Sequence, residues 1–469
     1  MEPAEFRTWA HQIVDWIADY RAQIERYPVR SQAQPGDLLR QLPLRAPEAP
    51  EPMEALMRDF EALILPGITH WQSPHFYAYF PANASLPSLL AEMLTAGLGA
   101  QCMIWETSPA AAELEERMME WMGQEIGIPA GWSGALQSTA SEATLCALLA
   151  ARERASGFQI NRRGFEGEGF RVYASSQTHS SIEKGVKIAG LGRDNLSYLP
   201  VRADFSLDPE ALEAAIAADR RAGLRPLCVV ATLGSTSTTA MDPLPAIAKI
   251  CAREGIWLHV DAAYAGSAFF LPECRTWMEG IEQADSLVFN PHKWLFTHFD
   301  CSAFYVKDRE ALLRSFEIMP EYLKTRAQGV NNYRDWGIPL GRRFRALKLW
   351  FVLRSYGLEG IRSRLRAHMA MAEELERWVL ARPDFERMAP RSLNLVCFRY
   401  RPDPAMAEAE LDALNEQLLQ RLNDSGRLYL THTRLSGRYV LRMVIGQVDV
   451  QPAHVADAWR WICEEAEGL

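Results

Sequence analysis

Phe6, Trp9, Ile13, Ile17, Tyr20 and Ile24 recur at steps of three or four, the spacing that lines one stripe of an amphipathic helix. A second run of helical spacing, Met53 to Leu65, follows an exposed Pro- and Glu-rich connector between Ala46 and Pro52. Neither segment is long enough to enclose a core of its own, so both are expected to pack on another domain or subunit, as an arm does. From about residue 86 short β-rich runs alternate with helical ones, the pattern of βαβ units and a mostly parallel sheet. Phe170–Ala174, Leu227–Ala231, Trp257–Val260 and Ser286–Val288 read as strands buried on both faces. Asp208 and Pro209 open a helix as N-cap and first-turn proline, and Gly223 closes it. After about residue 348 come a long helix, a strand near Leu395–Phe398 and a helix from Glu408 to Leu422. A hairpin pairs Leu428–Thr433 with Tyr439–Ile445 across Ser436 and Gly437, and a last helix carries Val455, Trp459 and Ile462 on one face. The expected organisation is a helical arm at 1–85, an α/β domain at 86–347 and a small α+β domain at 348–469.

Composition narrows what such a chain does. Its 469 residues are 48% hydrophobic and 23% charged, the balance of a folded globular protein rather than a disordered one. With 50 Lys+Arg against 59 Asp+Glu the formal charge is -9, which sets the molecule against nucleic-acid phosphates and anionic lipid. Eight cysteines contain no C-x-x-C pair, and no His pair stands at ligand spacing, so reduced thiols and no metal are expected. The acidic N-terminus lacks the pattern of a secretory signal, and no apolar run reaches the length of a membrane span. A cytoplasmic protein without membrane partners is expected.

In open α/β sheets ligands bind beyond the carboxyl ends of the strands. Two polar runs sit there. Trp257 to Tyr264 places Asp261 at a strand end beside Ala262 and Ala263, small enough to let a flat ligand approach. Ser286 to Trp294 ends the next strand with Asn290, His292 and Lys293. Singly, a strand-end Asp is usually a helix cap and a Lys a solvated charge. Together they are the two groups that pyridoxal 5'-phosphate (PLP) chemistry requires: an amine for a Schiff base and a carboxylate that keeps the pyridine nitrogen protonated. Thr139, Ala140 and Ser141 precede a helical run to Ala155, and a helix N-terminus offers N–H groups to a phosphate or simply caps itself. His179, just after the strand ending near Ala174, is either a stacking imidazole or a structural hydrogen-bonder. Dinucleotide G-x-G-x-x-G, P-loop, H-E-x-x-H and G-x-S-x-G motifs are all missing, which sets aside NAD enzymes, NTPases, zincins and serine hydrolases.

Asn290-Pro291-His292-Lys293-Trp294, with His259 to Gly266 upstream, resembles the group II PLP-dependent decarboxylases, specifically the aromatic-L-amino-acid decarboxylases. The resemblance continues through Pro66 to Trp71, Phe76 to Pro81, Thr139 to Thr144 and Ile338 to Arg345, and so covers almost the whole chain. It implies the type I PLP-dependent (aspartate aminotransferase-like) fold, with a mainly parallel seven-stranded sheet and an N-terminal arm exchanged in a homodimer. It further implies that Lys293 binds PLP covalently, Asp261 pairs with the pyridine nitrogen, Ala263 packs on one face and His179 stacks on the other. Thr139, Ala140, Ser141, Ser235, Asn290 and His292 match positions that hold or flank the phosphate. Tyr322, in a stretch from about Phe316 to Arg334 without clear period, matches the lid tyrosine that returns a proton to Cα.

The implied reaction is decarboxylation of an aromatic L-amino acid to its arylalkylamine and CO2. The alternative within the fold is an aromatic aldehyde synthase, whose members tend to carry Phe at the loop tyrosine or Asn at the stacking histidine. Tyr322 and His179 are both retained here, and no motif argues for an aminotransferase. A non-catalytic scaffold would require loss of Lys293 or Asp261. Trp71, Tyr79, Phe80 and Pro81 match the family's substrate wall, while Ala82 replaces a hydroxyl residue of animal relatives and Gln101 and Met103 replace apolar and aromatic ones. Gly341 stands where related histidine decarboxylases tend to have Ser, leaving room for a phenol, catechol or indole. The missing hydroxyl at 82 and missing ring at 103 order the expected substrates as tryptophan or 5-hydroxytryptophan, then tyrosine or dopa, then phenylalanine.

Overall fold

The computed structural model describes residues 1–167, 169–318 and 329–469. Its chain divides into two compact units. The larger comprises Ala82–Glu373 with Ala389–Val396, and the smaller comprises Met1–Pro81, Glu374–Met388 and Cys397–Leu469. The first 81 residues thus group with the C-terminal region, a division in two where three segments were expected.

Seven strands build the larger unit: β1 (Ser133–Gln137), β2 (Phe170–Ser175), β3 (Leu196–Leu199), β4 (Arg225–Thr232), β5 (Trp257–Asp261), β6 (Ser286–Phe289) and β7 (Ser302–Val306). They lie in the order β1-β7-β6-β5-β4-β2-β3. The run from β3 to β6 is parallel, while β7 is antiparallel to both β6 and β1. β5 and β6 are buried at every residue, as parallel strands covered on both faces must be. The helix Ala140–Ala155 packs through Ala143, Ala147, Leu148, Ala150 and Ala151 into the cluster that holds Val172, Val230, Trp257 and Phe304. Its alanines bring the helix backbone close to the sheet, which steadies the N-terminal end that matters below. The helix Pro209–Arg221 is capped by Asp208, whose side chain accepts from the Glu210 N–H.

The smaller unit holds a four-stranded sheet in the order β10-β11-β9-β8, from β8 (Phe385–Arg387), β9 (Leu395–Tyr400), β10 (Thr431–Leu435) and β11 (Arg438–Val444). The expected hairpin turns at Ser436 and Gly437, both at positive φ. The first helix, Pro3–Ala22, buries none of its residues; Trp16 meets Phe60 edge-on at 5.1 Å. The second helical run stays α-helical only to Asp59, then widens through Phe60–Ile64 and tightens through Leu65–Gly67. The run expected from Met53 to Leu65 is thus helical throughout, with Pro66, which cannot continue an α-helix from within, where it closes.

Candidate active site

The ends of five strands of the larger unit, β1, β2, β4, β5 and β6, deliver the polar residues. Asp261 is the last residue of β5, in register with Thr232 of β4 and Val288 of β6. Its Oδ1 accepts the Ala263 N–H at 3.0 Å, which turns the chain sharply after the strand. Asn290 follows β6, donates its N–H to the Ala263 carbonyl and accepts from Ser302 Oγ at 2.5 Å. Asn290 then leads into the single helical turn Pro291–Trp294 that carries Lys293. The buried Asn83 donates from Nδ2 to the Lys293 carbonyl at 2.7 Å, pinning that turn.

The electrostatics suit a nucleophilic amine. Burial lowers the Lys293 pKa below the usual lysine range, and the Asp261 carboxylate opposes that shift. His179 caps the helix Ser180–Ile188: its Nδ1 accepts the Ser181 N–H at 3.1 Å, so the neutral ring carries its proton on Nε2. Burial and then the Lys293 charge lower the His179 pKa, with Asp261 acting the other way. Lys293, Asp261 and His179 therefore act on one another, which their sequence positions alone did not show. His292 spends Nδ1 on the Cys301 N–H at 2.9 Å and is pushed down to about 3 by burial, so it is neutral at working pH.

At the end of β1, Thr139 caps the helix Ala140–Ala155 by accepting the Glu142 N–H. Ala140 and Ser141 lie in its first turn, where backbone N–H groups have no carbonyl one turn back. Ser235 is buried, with Oγ 3.0 Å from Thr238 Oγ1 and accepting the Ala240 N–H, so this hydroxyl braces its own turn. Sequence reasoning missed Asn83 and two hydroxyls, Thr232 Oγ1 and Thr178 Oγ1, that are buried with no hydrogen-bond partner among the described residues. Asn83 follows Ala82 and Thr178 precedes His179 in the chain, a signal that the sequence held, whereas Thr232 meets Asp261 only across the sheet.

The expected substrate residues fall into two groups. In the smaller unit Trp71 stacks on Tyr79 at 5.8 Å, the Tyr79 hydroxyl lies 3.2 Å from that of Tyr429, and Phe80 and Pro81 follow. In the larger unit Gln101 Oε1 accepts the Arg342 N–H at 2.7 Å, and the Met103 carbonyl accepts the Arg334 N–H. A Cβ on Gly341 would stand 3.2 Å from Gln101 Nε2. Ala82 opens the larger unit. Tyr322 lies outside the described residues.

A profile described as "Pyridoxal-dependent decarboxylase conserved domain" matches residues 35–401. This chain belongs to the pyridoxal-dependent decarboxylases. Along its whole length it is 44% identical to tyrosine decarboxylase 4 of Petroselinum crispum, covering 94% of that protein. It is 45% identical to the phenylacetaldehyde synthase of Arabidopsis thaliana, again over the whole chain and 97% of the relative. Among solved structures, Oryza sativa TDC with PLP and tryptamine superposes with a TM-score of 0.96 at 38% identity, over 100% of this chain and 99% of that one.

The decarboxylase uses PLP, and the residues present fit it: an amine of lowered pKa, a buried carboxylate, a helix N-terminus with open N–H groups and an unpartnered threonine hydroxyl at a neighbouring strand end. When bound, the cofactor supplies an electron sink conjugated to the substrate amine. Lys293 would hold it covalently, Asp261 would keep its ring nitrogen protonated, and Ala140 and Ser141 would offer N–H groups to its phosphate.

Proposed function

We propose that this decarboxylase removes the α-carboxyl group of an aromatic L-amino acid, releasing CO2 and the arylalkylamine. Tryptophan or 5-hydroxytryptophan comes first, tyrosine or dopa next. The observation that carries the reading is the desolvated Lys293 amine in electrostatic contact with Asp261 at the end of the adjoining strand and with His179 beyond β2 of the same sheet. Relatives named for tyrosine and tryptophan decarboxylation, matched over the whole chain, support the aromatic class.

In this reading the neutral Lys293 yields its place to the substrate amine, and His179 covers the reacting ring with Nε2–H as donor. The bond from Cα to the carboxylate breaks, the electron pair stays with Cα, and Tyr322 returns a proton to that carbon. The family resemblance assigns the substrate side chain to Trp71, Tyr79, Phe80 and Pro81 of the smaller unit and, separately, to Ala82, Gln101, Met103 and Gly341 of the larger. The working form is a homodimer with the 1–85 arm exchanged, supported by two open surfaces. The helix Leu86–Leu98 exposes Leu86, Leu90, Leu94 and Leu98 at steps of four, and the first helix has no buried residue. No helix among the described residues is long and apolar enough to cross a membrane. No disulfide forms among them either, which supports a cytoplasmic location.

The phenylacetaldehyde synthase relative favours a second reading, in which the amine is further oxidised by dioxygen to aldehyde, ammonia and peroxide. Tyr322 and His179 speak for simple decarboxylation. The test is incubation of the PLP-loaded enzyme with a panel of L-amino acids, reading CO2, amine, aldehyde and peroxide together. Equal amine and CO2 from aromatic substrates is expected; aldehyde with peroxide moves the enzyme to the synthases, and no aromatic turnover refutes the substrate class.

A further inference from the structure

Three residues far apart in the chain converge in the smaller unit. Glu25 lies in the turn Ile24–Arg26, His75 in the segment before Phe76, and His454 in the first turn of the helix Pro452–Glu467. One carboxylate serves both imidazoles: Glu25 Oε2 is 3.5 Å from His75 Nε2, and Oε1 is 3.8 Å from His454 Nε2. One ligand atom from each of the three residues lies within 4.8 Å of the others. A tetrahedral ion with bonds of about 2.0–2.1 Å holds its ligand atoms roughly 3.3 Å apart; each Glu25–His pair is within about 0.5 Å of that through its own carboxylate oxygen, and gathering one atom from each residue on a single ion takes up to about 1.5 Å of side-chain movement.

His75 is buried with one ring nitrogen facing Glu25 and the other unsatisfied among the described residues. Its side chain is more than nine-tenths buried, against the Trp461 ring at 5.0 Å and the His454 ring at 5.1 Å. Its Nδ1 has no hydrogen-bond partner among the described residues. Burial lowers its pKa, which keeps the ring in the neutral, ligating form near pH 7; His454 adds to that effect, while Glu25 and Asp457 oppose it. Asp457, one turn beyond His454, is paired with Arg460 at 2.8 Å. Glu25 is exposed, which leaves an entry path and room for a water on the ion.

We propose that Glu25, His75 and His454 form a binding site for a divalent transition metal, a clip between the arm's turn and the C-terminal helix. Two imidazoles and one carboxylate suit Zn2+ or Co2+ rather than Mg2+ or Ca2+. In the structure His454 Nδ1 accepts the Gln451 N–H at 3.0 Å, so Nε2 carries the proton. Binding an ion through Nε2 moves that ring proton to Nδ1 and gives up the capping bond.

The test is calorimetric titration of Zn2+ into chelator-treated holoenzyme and into Glu25→Gln and His454→Gln. Both substituted side chains reach the surface and leave the core intact. The expected result is saturable binding of one ion per chain that each substitution weakens by about tenfold or more, with a thermal midpoint that zinc raises only in the unsubstituted enzyme. Absence of saturable binding up to about 100 µM, or binding that both substitutions leave unchanged, overturns the site.

Discussion

Gly266→Ala probes how Lys293 is placed. Gly266 donates its N–H to Ala262 at 2.8 Å, immediately after Asp261, and packs against the last residue of β6. A Cβ at position 266 would come within 2.6 Å of Phe289 Cγ and closer still to Phe289 Cβ, an atom one bond from the β6 backbone. Ordinary carbon contacts begin near 3.5 Å, so the two segments must part by at least about 0.9 Å. Overpacking of this kind costs about 1–3 kcal/mol. Lys293 lies four residues beyond Phe289 on a tight turn, so the displacement reaches the amine, and a misplacement near 1 Å costs on the order of 100-fold in turnover. The assay compares kcat, cofactor affinity and thermal midpoint with Gly360→Ala as control. A Cβ there meets only ordinary contacts of 3.6 and 3.7 Å, and alanine inside a helix gains about 0.5–1 kcal/mol. A Gly266→Ala enzyme with unchanged kcat and thermal midpoint would refute the steric argument.

Lys293→Ala should abolish the near-visible absorbance of bound cofactor together with activity; turnover without that band would remove the lysine from its role. Tyr322→Phe should retain cofactor and shift products from amine toward aldehyde, ammonia and peroxide, and unchanged amine output would remove Tyr322 as proton donor. Burial pushes His259 down to about 4 and His292 to about 3, against about 6.5 in an unfolded chain. Both gain a proton only on unfolding, so their contribution is complete above about pH 6.5 and falls on acidification toward pH 4 by up to about 1.4 kcal/mol per pH unit for each ring. Melting curves of the holoenzyme should show a midpoint that falls across this window and falls less in His259→Gln; a flat profile contradicts the assignment.

The strands at 170, 227, 257 and 286 were legible because strands covered on both faces are nearly continuous apolar runs. Once they were placed, Asp261 and Lys293 could be read as strand-end residues. β1 was not legible: Ser133, Gly134 and Gln137 look like loop, and Gly134 is needed because Met119 and Tyr305 occupy the space where a Cβ would go. The four-residue β3, with only its two ends buried, carries too little pattern. The mutual influence of His179, Asp261 and Lys293 depends on β2, β4, β5 and β6 lying side by side, an order that sequence does not state. The grouping of Glu25, His75 and His454 was invisible for the same reason, since metal motifs are recognised by short spacings.

The order of the seven strands also sets a timetable for synthesis. β1 leads into the N-terminal end of the helix Ala140–Ala155, proposed above to meet the phosphate, yet among the described residues its only strand partner is β7. A chain emerging from the ribosome N-terminus first holds Thr139, Ala140 and Ser141 ready long before Val306 exists to fix them in the sheet. Asp261 and Lys293 emerge in between, so every residue proposed to hold the cofactor has been made before the strand that seats the phosphate end. A nascent chain stopped short of β7 would therefore carry the whole proposed set of cofactor-binding residues with no assembled place to use them.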